Sequence, residues 1–489
     1  MIKKIYHRLI SLPSVKRILH PEKYKTVAFF LQYLKNAGCD VRLNDKGKEN
    51  RNKVIMELCV LDTVYESFSF TPQNACIVET RQNAEEAIKK GAILLITQEN
   101  FDEFPCLITN NSLAVFAKIG KYYRDLHKTT SVVAVSGSIG KTTTKNMLGE
   151  IYKTTYRTHY NKTNANTRRS IISEVQYIPD NTERMIQEVN EANPGETIYL
   201  SEILHPDLFV ITSIDKSHFQ RFENTDKIIE EICIITQHMP KQSPVIVNID
   251  EFNRFDLLDG YKIVTVSENR DDADFFVTDI CTSDQGLNFT IKVKSNKQKY
   301  NILLKNMYAP HNALCALYAF AASFCDNISP ENIVKGLGNY RTEGFRQNVV
   351  HTKDNIIVYA DCYNAVEKSI KSAIDGADLI HAEGKRIAVL GDIKESGSLT
   401  TEMHVNVIQY ILNSKFDYLI TIGDEMCKAA EFIKDNGKLI IHKCQSLNDV
   451  MASLRKIMKS GDLILFKASH AMELEKCLFE LWPSEFKQI

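Results

Sequence analysis

The sequence predicts an α/β protein built from about three domains. Its 489 residues give that number when they are divided by a typical domain length of roughly 150 residues. Short apolar runs of the kind that form buried strands alternate with helical patterns through most of the chain. Such alternation indicates parallel sheets joined by right-handed crossovers. The 44% of hydrophobic and 25% of charged residues are ordinary for a globular chain and exclude a disordered, collagen-like or coiled-coil architecture.

Changes in the pattern of apolar runs and helical segments divide the chain into residues 1–128, 129–339 and 340–489. The first block ends in a helical pattern over residues 84–92, an apolar run over 93–97 and a second helical pattern. The apolar runs that predict later strands are residues 132–135, 208–214, 243–249, 355–360, 385–391, 416–423 and 462–468. We therefore expect a parallel sheet at the centre of the second domain and a Rossmann-like sheet in the third.

The charge balance excludes one class of function. Sixty Lys and Arg side chains stand against 61 Asp and Glu, for a formal net charge of -1. A protein that wraps nucleic acid usually carries a basic excess, so no nucleic-acid partner is expected. Any phosphate recognition should be local, built from one loop and a few side chains.

The cysteine spacing and the apolar runs indicate a cytoplasmic protein. Twelve cysteines are spread from Cys39 to Cys477 without a C-x-x-C pair, which favours reduced thiols over disulfides or a zinc site. No apolar run approaches the roughly 18 residues of a membrane span, and the basic N-terminus lacks the apolar core of a signal peptide. Apolar residues at positions 2, 5, 9 and 12 could form one helical face, which we interpret as docking on the protein's own core rather than on a membrane.

A glycine-containing segment follows the apolar run 132–135 and precedes a helix that we expect to begin near Lys145. It reads Gly137-Ser138-Ile139-Gly140-Lys141-Thr142-Thr143. Glycines allow several backbone N–H groups to point at one anion, and the helix N-terminus adds partial positive charge. In a P-loop, the lysine reaches the β- and γ-phosphates and the hydroxyl at the position of Thr142 binds Mg²⁺. Because Val135 replaces the first glycine of the full pattern, the segment is a shortened P-loop, and it predicts ATP binding.

This loop resembles the ATP loop of the Mur ligases, which form the amide bonds of peptidoglycan precursors. Further resembling strings follow in the family's order: QEVNEANPGE (187–196), VITSIDKSHFQRF (210–222), VNID (247–250), APHNALCALYAFAA (309–322), GFRQ (344–347), ADCYNA (360–365), LGDIKESG (390–397) and KASHAMELE (467–475). The Y-N-A, L-G-D-x-x-E-x-G and K-x-S-x-x-M-x-x-E strings are most like those of the family member that adds D-alanyl-D-alanine to UDP-N-acetylmuramoyl-tripeptide.

The resemblance implies a role for each matching residue. The implied nucleotide contacts are Gly137, Ser138, Gly140, Lys141, Thr142, Thr143, Asn312, Arg346 and Asp361. The implied Mg²⁺ ligands are Thr142, Glu188 and His218, and the implied catalytic residues are Lys141, Glu188, His218 and Arg346. The implied substrate contacts are Asn161, Asn164, Asn364, Asp392, Glu395 and Lys467. Taken singly, each of these has a structural alternative, such as a solvated carboxylate or a turn residue; their ordered co-occurrence favours the functional role.

The chemistry implied by the resemblance is ATP-driven amide formation. A carboxylate is a poor electrophile, and its phosphorylation by ATP gives an acyl phosphate that an amine can attack. The catalyst must hold positive charge around the transferring phosphoryl group. We therefore expect an acceptor-binding first domain, an ATP-binding second domain and a third domain that binds the amine and closes as a lid. The expected partners are small molecules, and a monomer fits three domains that move.

Several positions depart from the family pattern. The family's lysine that becomes a carbamate bridging two Mg²⁺ ions is Ile232 here, which leaves open whether Glu230 or Glu231 takes its place. Asn190 stands where the family has a glycine, and Val366-Glu367 replaces Asn-Pro after Y-N-A. In the last string, His470 replaces an arginine that could hold a substrate carboxylate.

The first domain departs most. Only Glu79-Thr80-Arg81 stands near the family's Asp-Ser-Arg string for UDP recognition, and the following Asp-Gly-His is missing. Three hypotheses result. The leading one is the D-alanyl-D-alanine-adding ligase, the second is a Mur-like ligase with a different acid and amine, and the third is an ATP-binding protein without turnover that acts as a regulator or scaffold.

Overall fold

The computed structural model describes most of the chain. The described residues are 22–60, 73–161, 166–190, 194–195, 197–214, 222, 224–283, 285–342, 344–394, 397–432 and 439–486. The helical face expected in the first twenty residues lies outside them. Within these residues the strands form three sheets flanked by helices, which confirms the α/β prediction.

The first sheet has five strands in the order β1-β5-β4-β3-β2. Its strands are β1 (Val41–Leu43), β2 (Glu57–Val60), β3 (Asn74–Ile77), β4 (Ala92–Thr97) and β5 (Cys106–Thr109). The helices around it are α1 (Val27–Asn36), α2 (Asp45–Glu49), α3 (Arg81–Lys89) and α4 (Ser112–Asp125). All neighbours pair in parallel except β1 and β5.

The second sheet has nine strands in the order β14-β13-β12-β11-β10-β9-β6-β8-β7. The strands are β6 (Ser131–Ser136), β7 (Thr158–Tyr160), β8 (Arg184–Glu188), β9 (Leu208–Ile211), β10 (Pro244–Asn248), β11 (Lys262–Ser267), β12 (Phe275–Ser283), β13 (Gly286–Val293) and β14 (Lys299–Lys305). Its helices are α5 (Lys141–Tyr152), α6 (Arg168–Glu174), α7 (Thr197–Leu204), α8 (Thr225–Cys233), α9 (His311–Cys325) and α10 (Pro330–Asn339). The strands from β7 to β12 pair in parallel, and β12, β13 and β14 form an antiparallel extension.

The third sheet has six strands in the order β15-β16-β20-β17-β18-β19. They are β15 (Asn348–His351), β16 (Ile357–Asp361), β17 (Arg386–Gly391), β18 (Tyr418–Ile422), β19 (Ile440–Cys444) and β20 (Leu463–Lys467). The helices are α11 (Glu367–Leu379), α12 (Thr400–Ile411), α13 (Asp424–Ala429), α14 (Leu447–Ile457), α15 (Glu475–Leu481) and α16 (Pro483–Phe486). Only β15 is antiparallel to its neighbour. The domain boundaries after residues 128 and 339 stay predictions.

The first and second sheets share packing, because one apolar core runs from Val27 in α1 to Ile171 and Ile172 in α6. Polar contacts reinforce it at the edge strand β2. The side-chain amide of Gln176 accepts from the backbone N–H of Leu58 (2.8 Å) and donates to the Leu58 carbonyl (2.9 Å). An edge strand has unpaired backbone groups, and Gln176 satisfies one pair of them.

Two findings bear on localisation. Among the described residues, no helix combines the length and the apolar character needed to cross a membrane. The cysteines are free thiols, and most of them are buried. The cytoplasmic location stays a prediction.

Candidate active site

The shortened P-loop lies at the carboxyl end of β6, an interior strand between β9 and β8 of the second sheet. Gly137 has a φ of +129°, and a Cβ atom there would lie 2.3 Å from Thr212 Oγ1, so no larger residue fits. Gly140 has a φ of +87° and is the N-cap of α5. The helix begins at Lys141 rather than near Lys145 as predicted, which places its first turn directly against the loop. The two glycines therefore explain the sharp turn from strand to helix.

The Lys141 side chain folds back over the loop. Its ammonium group donates to the carbonyl oxygen of Gly137 and lies 3.5 Å from Asn190 Oδ1. Asn190, which stands where the family has a glycine, therefore contributes an amide to the same site. A lysine held on the loop in this way is positioned beside the anion that the loop would bind.

Glu188 is the buried carboxylate of the site. It ends β8, where it is the in-register neighbour of Val135 on β6, and its side chain is 2% exposed. Its Oε1 atom accepts from Thr142 Oγ1 (3.1 Å) and from Asn166 Nδ2 (2.8 Å). The adjacency of β6 and β8 brings Thr142 and Glu188 together as the sequence predicted.

The surrounding cations keep Glu188 ionised. Burial by itself would raise the pKa of this carboxyl, but the nearby Lys145, Arg346 and Lys141 outweigh the burial and hold the pKa below its usual range. The Lys145 ammonium is fully buried, 3.6 Å from Glu188 Oε2. The site therefore carries one negative charge inside a group of positive ones.

The donors around Glu188 fit Mg²⁺. Oε2 of Glu188 is buried without a hydrogen-bond partner among the described residues. The Thr142 hydroxyl donates to the other carboxylate oxygen, Oε1. Mg²⁺ is usually bound by one or two carboxylates together with waters and substrate phosphates. The described residues contain no group of three or more His, Cys, Asp or Glu side chains that could hold a metal. Glu188 and Thr142 thus suit a metal completed by phosphate oxygens.

Arg346 reaches the same site from the segment between α10 and β15. Its guanidinium carbon lies 3.9 Å from the centre of the Tyr363 ring, a cation–π contact that fixes the plane of the side chain. The His470 ring stacks on Tyr363 at a centroid distance of 5.2 Å. The His470 ring also lies 3.5 Å from Glu475. Arg346 and His470 are therefore linked through one aromatic side chain.

Asp361 and Lys467 form a buried ion pair at the carboxyl ends of two adjacent strands. They are in-register neighbours on β16 and β20, and Lys467 Nζ lies 3.0 Å from Asp361 Oδ2. Lys467 also donates to the carbonyl oxygen of Asn364, whose exposed side chain caps the N–H of Ala365. Both Asp361 and Lys467 face the cavity.

These residues line one cavity of about 400 Å³ between the second and third sheets. From the second sheet come Ser138, Gly140, Lys141, Thr142, Thr143, Asn166, Glu188 and Asn190. From the other side come Arg346, Gln347, Asp361, Tyr363, Asn364, Lys394, Lys467 and His470. The structure thus brings Lys141, Thr142, Glu188, Arg346 and Asp361 of the predicted site to one cavity.

Two predicted residues lie behind the cavity wall. Asn312, near the start of α9, is fully buried and donates to the side chain of Gln347. Asp392 is 2% exposed and accepts from the backbone N–H of Met426 (2.9 Å), which caps α13, while Lys394 Nζ lies 3.0 Å from it. The next residues, Ile393 and Lys394, line the cavity instead. Asp392 therefore positions the loop that faces the substrate space.

Three predicted residues, His218, Asn164 and Glu395, lie outside the described residues. Asn161, the residue directly after β7, is buried. Their proposed roles stay predictions.

Ile232, which stands where the family has its carbamylated lysine, is a core residue of α8. Ile232 is 1% exposed in the apolar core. Glu231 accepts from the backbone N–H groups of Gly195 (2.8 Å) and Thr197 (3.0 Å), and Glu230 pairs with Lys227 and Arg254. Neither carboxylate lines the cavity that contains the P-loop, which gives no support to either as a substitute for the carbamate.

The Glu79-Thr80-Arg81 string is used structurally. Thr80 is the N-cap of α3 and accepts from the backbone N–H of Asn83. Arg81 is 64% exposed and pairs with Glu85 and Glu103. An arginine neutralised by two carboxylates is a poor phosphate ligand, so these residues give no support to UDP recognition here.

Three residues of the site were given no role from the sequence, Lys145, Tyr363 and Gln347, and the sequence matched Asn166 to a substrate loop rather than to Glu188. Lys145 and Asn166 meet Glu188 only because β6 and β8 are neighbours. One signal was present for Tyr363 and Gln347, since each directly flanks a residue that the sequence singled out, Asn364 and Arg346 respectively.

Comparison with known proteins agrees with this geometry. Residues 135–321 match the Mur ligase middle domain, and residues 345–470 match the Mur ligase glutamate ligase domain. The UDP-N-acetylmuramoyl-tripeptide–D-alanyl-D-alanine ligase of Bacillus subtilis is 30% identical over 407 residues, which cover 82% of this chain and 87% of the relative.

Two solved structures share the fold. A crystal structure of MurF from Acinetobacter baumannii superposes with a TM-score of 0.78 at 21% identity and covers 92% of this chain and 98% of its own. The MurF ligase from Thermotoga maritima in complex with ADP superposes with a TM-score of 0.73 at 21% identity, covering 85% of this chain and 96% of its own.

Proposed function

Because the chain belongs to the Mur ligase family, we propose that it is an ATP-dependent, ADP-forming ligase that adds D-alanyl-D-alanine to a UDP-muramoyl-tripeptide. The observation that carries the proposal is the convergence of Lys141, Glu188 and Arg346 on one cavity between two sheets. The name of the Bacillus subtilis relative supports the choice of acid and amine.

The residues divide the chemistry between two sides of the cavity. The P-loop and Lys141 bind the phosphates of ATP, and Arg346 approaches the transferring phosphoryl group from the opposite side. Phosphoryl transfer is mainly positioning and electrostatic stabilisation, so two fixed cations around that group lower the barrier. The product of this step is an acyl phosphate of the acceptor, which the amine attacks with release of phosphate.

Glu188 and Thr142 hold Mg²⁺ in this proposal. The metal, when bound, supplies positive charge at the phosphate oxygens. Glu188 provides an ionised carboxylate whose Oε2 accepts no hydrogen bond from the described residues, and Lys145 and Asn166 fix its orientation. His218 is proposed as a further ligand on the family pattern alone.

Asp361 and the third-domain residues complete the assignment. The Asp361 carboxylate, held by Lys467, is positioned at the cavity to accept from the ribose hydroxyls. Asn364, Lys394 and His470 line the same wall and form the proposed amine side. The acceptor would enter from the first domain, and we propose that the three domains lie at 1–128, 129–339 and 340–489.

A second candidate keeps the chemistry but changes the substrates. It is favoured by the surface ion pairs of Arg81 and by His470 in place of an arginine. A third candidate, an ATP-binding protein without turnover, draws on Ile232 but is opposed by the intact arrangement of Lys141, Glu188 and Arg346.

Phosphate release separates the three. The purified protein is incubated with Mg²⁺ and ATP, with and without UDP-muramoyl-tripeptide and D-alanyl-D-alanine. Release that requires both substrates supports the proposal, and release that requires another acid and amine supports the second candidate. ATP binding without release on any pair supports the third. Lys141→Ala should abolish release, whereas the exposed Lys128→Ala should leave it unchanged.

A further inference from the structure

One buried asparagine in the site is already engaged by another side chain. Asn312 is 0% exposed, and its Nδ2 atom donates to Gln347 Oε1 at 2.5 Å. Its other polar atom, Oδ1, is buried and has no hydrogen-bond partner among the described residues. A buried carbonyl oxygen without a donor carries a desolvation cost, which a ligand that donates to it would remove.

Besides the bond from Asn312, two contacts hold Gln347 in place. Its Nε2 donates to Nε2 of His311 at 2.7 Å, and its backbone N–H donates to Asp361 Oδ1 at 3.3 Å. The opposite ring nitrogen of His311, Nδ1, donates to Ser372 Oγ at 2.5 Å. These bonds require a neutral imidazole, and burial lowers the pKa of His311 to about 4. The orientation of the Gln347 amide is therefore fixed at both ends.

The backbone of Gln347 is unusual as well. Its φ is +54°, in the left-handed region that residues other than glycine rarely adopt. Such a conformation persists where surrounding contacts hold it, and it occurs often at functional sites. It lets the Gln347 side chain lie over Asn312 while the preceding residue, Arg346, faces the phosphate end of the cavity.

The amide of Gln347 resembles the edge of an adenine ring. Adenine presents an acceptor, N7, beside a donor, the 6-amino group, and an asparagine can bind both at once. Gln347 accepts from the Asn312 NH₂ group but directs its own NH₂ group to His311. It therefore leaves the carbonyl oxygen of the Asn312 side chain without a donor. Adenine would satisfy both polar groups of that side chain.

We propose that the Gln347 side chain competes with adenine for Asn312: it is hydrogen-bonded to Asn312 in the nucleotide-free protein and is displaced when ATP binds. This inference rests on the proposed function, in which Asn312 contacts adenine. Gln347 lines the cavity and Asn312 does not, so the base reaches Asn312 only after Gln347 moves. The displacement lowers the affinity for ATP and ties base recognition to the segment that carries Arg346.

The test compares two ligands on two variants of the full chain. Gln347→Asn and Gln347→Gly both tolerate a positive φ and both remove the amide from Asn312. We expect each to bind ATP about threefold to tenfold more tightly by calorimetry, the range that one net hydrogen bond gives. Binding of inorganic triphosphate, which has no base, should not change. Gln285→Asn, the same exchange at an exposed residue remote from the cavity, is the control.

The outcomes are distinguishable. Weaker or unchanged ATP binding in both variants would overturn the inference, because Gln347 would then support the base or play no part in its recognition. Equal tightening of ATP and triphosphate would also overturn it, since the effect would not arise at the base. A wild-type protein that binds no ATP would instead overturn the proposed function.

Discussion

The Lys145 ammonium lies 3.6 Å from Glu188 Oε2, and the two side chains are 0% and 2% exposed. This pair is the electrostatic centre of the site, because it places a permanent cation beneath the carboxylate proposed to bind the metal. Removing one partner of a buried ion pair leaves an uncompensated charge, which is far more costly than removing both.

Lys145→Met should therefore lower the free energy of unfolding by about 3–5 kcal/mol. The measurement is urea denaturation at neutral pH. The double variant Lys145→Met/Glu188→Gln should recover much of the loss, because neither side chain of the pair is then charged. A loss below about 1 kcal/mol in the single variant would contradict the prediction and indicate that Lys141 and Arg346 compensate the Glu188 charge without Lys145.

His311 makes stability depend on pH. Burial lowers its pKa to about 4, whereas the unfolded value is near 6.5. Between these values the unfolded chain binds a proton that the folded chain does not, so stability falls as the pH falls. From this residue alone we expect a loss of about 2 kcal/mol between pH 7 and pH 5.

The variant that checks this is His311→Gln. Its unfolding free energy, measured by urea denaturation at the two pH values, should fall less steeply than that of the wild type. His351→Gln, the same exchange at an exposed histidine, should leave the slope unchanged. Parallel slopes for all three proteins would contradict the prediction.

The loss of the carbamate lysine predicts independence from carbon dioxide. Ile232 is buried in the core, and Lys227, the lysine of α8, is 54% exposed and pairs with Glu230. The helix therefore has no lysine at the position that the family carbamylates. Phosphate release should proceed at the same rate in buffer freed of carbon dioxide and in buffer with added bicarbonate. A rate that rises with bicarbonate would show that a different lysine is carbamylated.

Arg346 should contribute to kcat more than to the KM for ATP, because in the proposed function its guanidinium stabilises the phosphoryl group during transfer. Arg346→Ala should lower kcat by about a hundredfold to a thousandfold, the usual cost of one preorganised charge in a transition state. Steady-state kinetics give kcat and KM separately. Arg455→Ala, which removes an exposed pair with Glu480, should have no effect on either. A change confined to the KM for ATP would contradict the assignment.

The local geometry of this site was predictable from the residues alone, whereas its long-range groupings were predicted only where the family resemblance supplied them. The P-loop was predicted because its strand, its turn and its helix are continuous in the chain. The contacts of Glu188 with Lys145 and Asn166 depend on strand order, which no local pattern encodes. The antiparallel extension β12–β14 was missed because only the apolar runs were interpreted as strands. Asp392 accepts from the N-terminal turn of α13, and its role as a substrate contact stays a prediction.

His470, which stands where the family has an arginine, offers the most direct test of the identity of the amine substrate. The His470 side chain is 61% exposed at the cavity, stacked on Tyr363 and 3.5 Å from Glu475. Arginine is charged at every accessible pH and binds a carboxylate through two parallel hydrogen bonds, which histidine cannot do. If the amine is D-alanyl-D-alanine, His470→Arg should lower its KM by about threefold to tenfold, a modest gain because the site is solvated. The KM for ATP should change less, since the P-loop side of the cavity is unaltered. An unchanged KM for the dipeptide would place its carboxylate elsewhere, with Lys394 the next cation along the same wall.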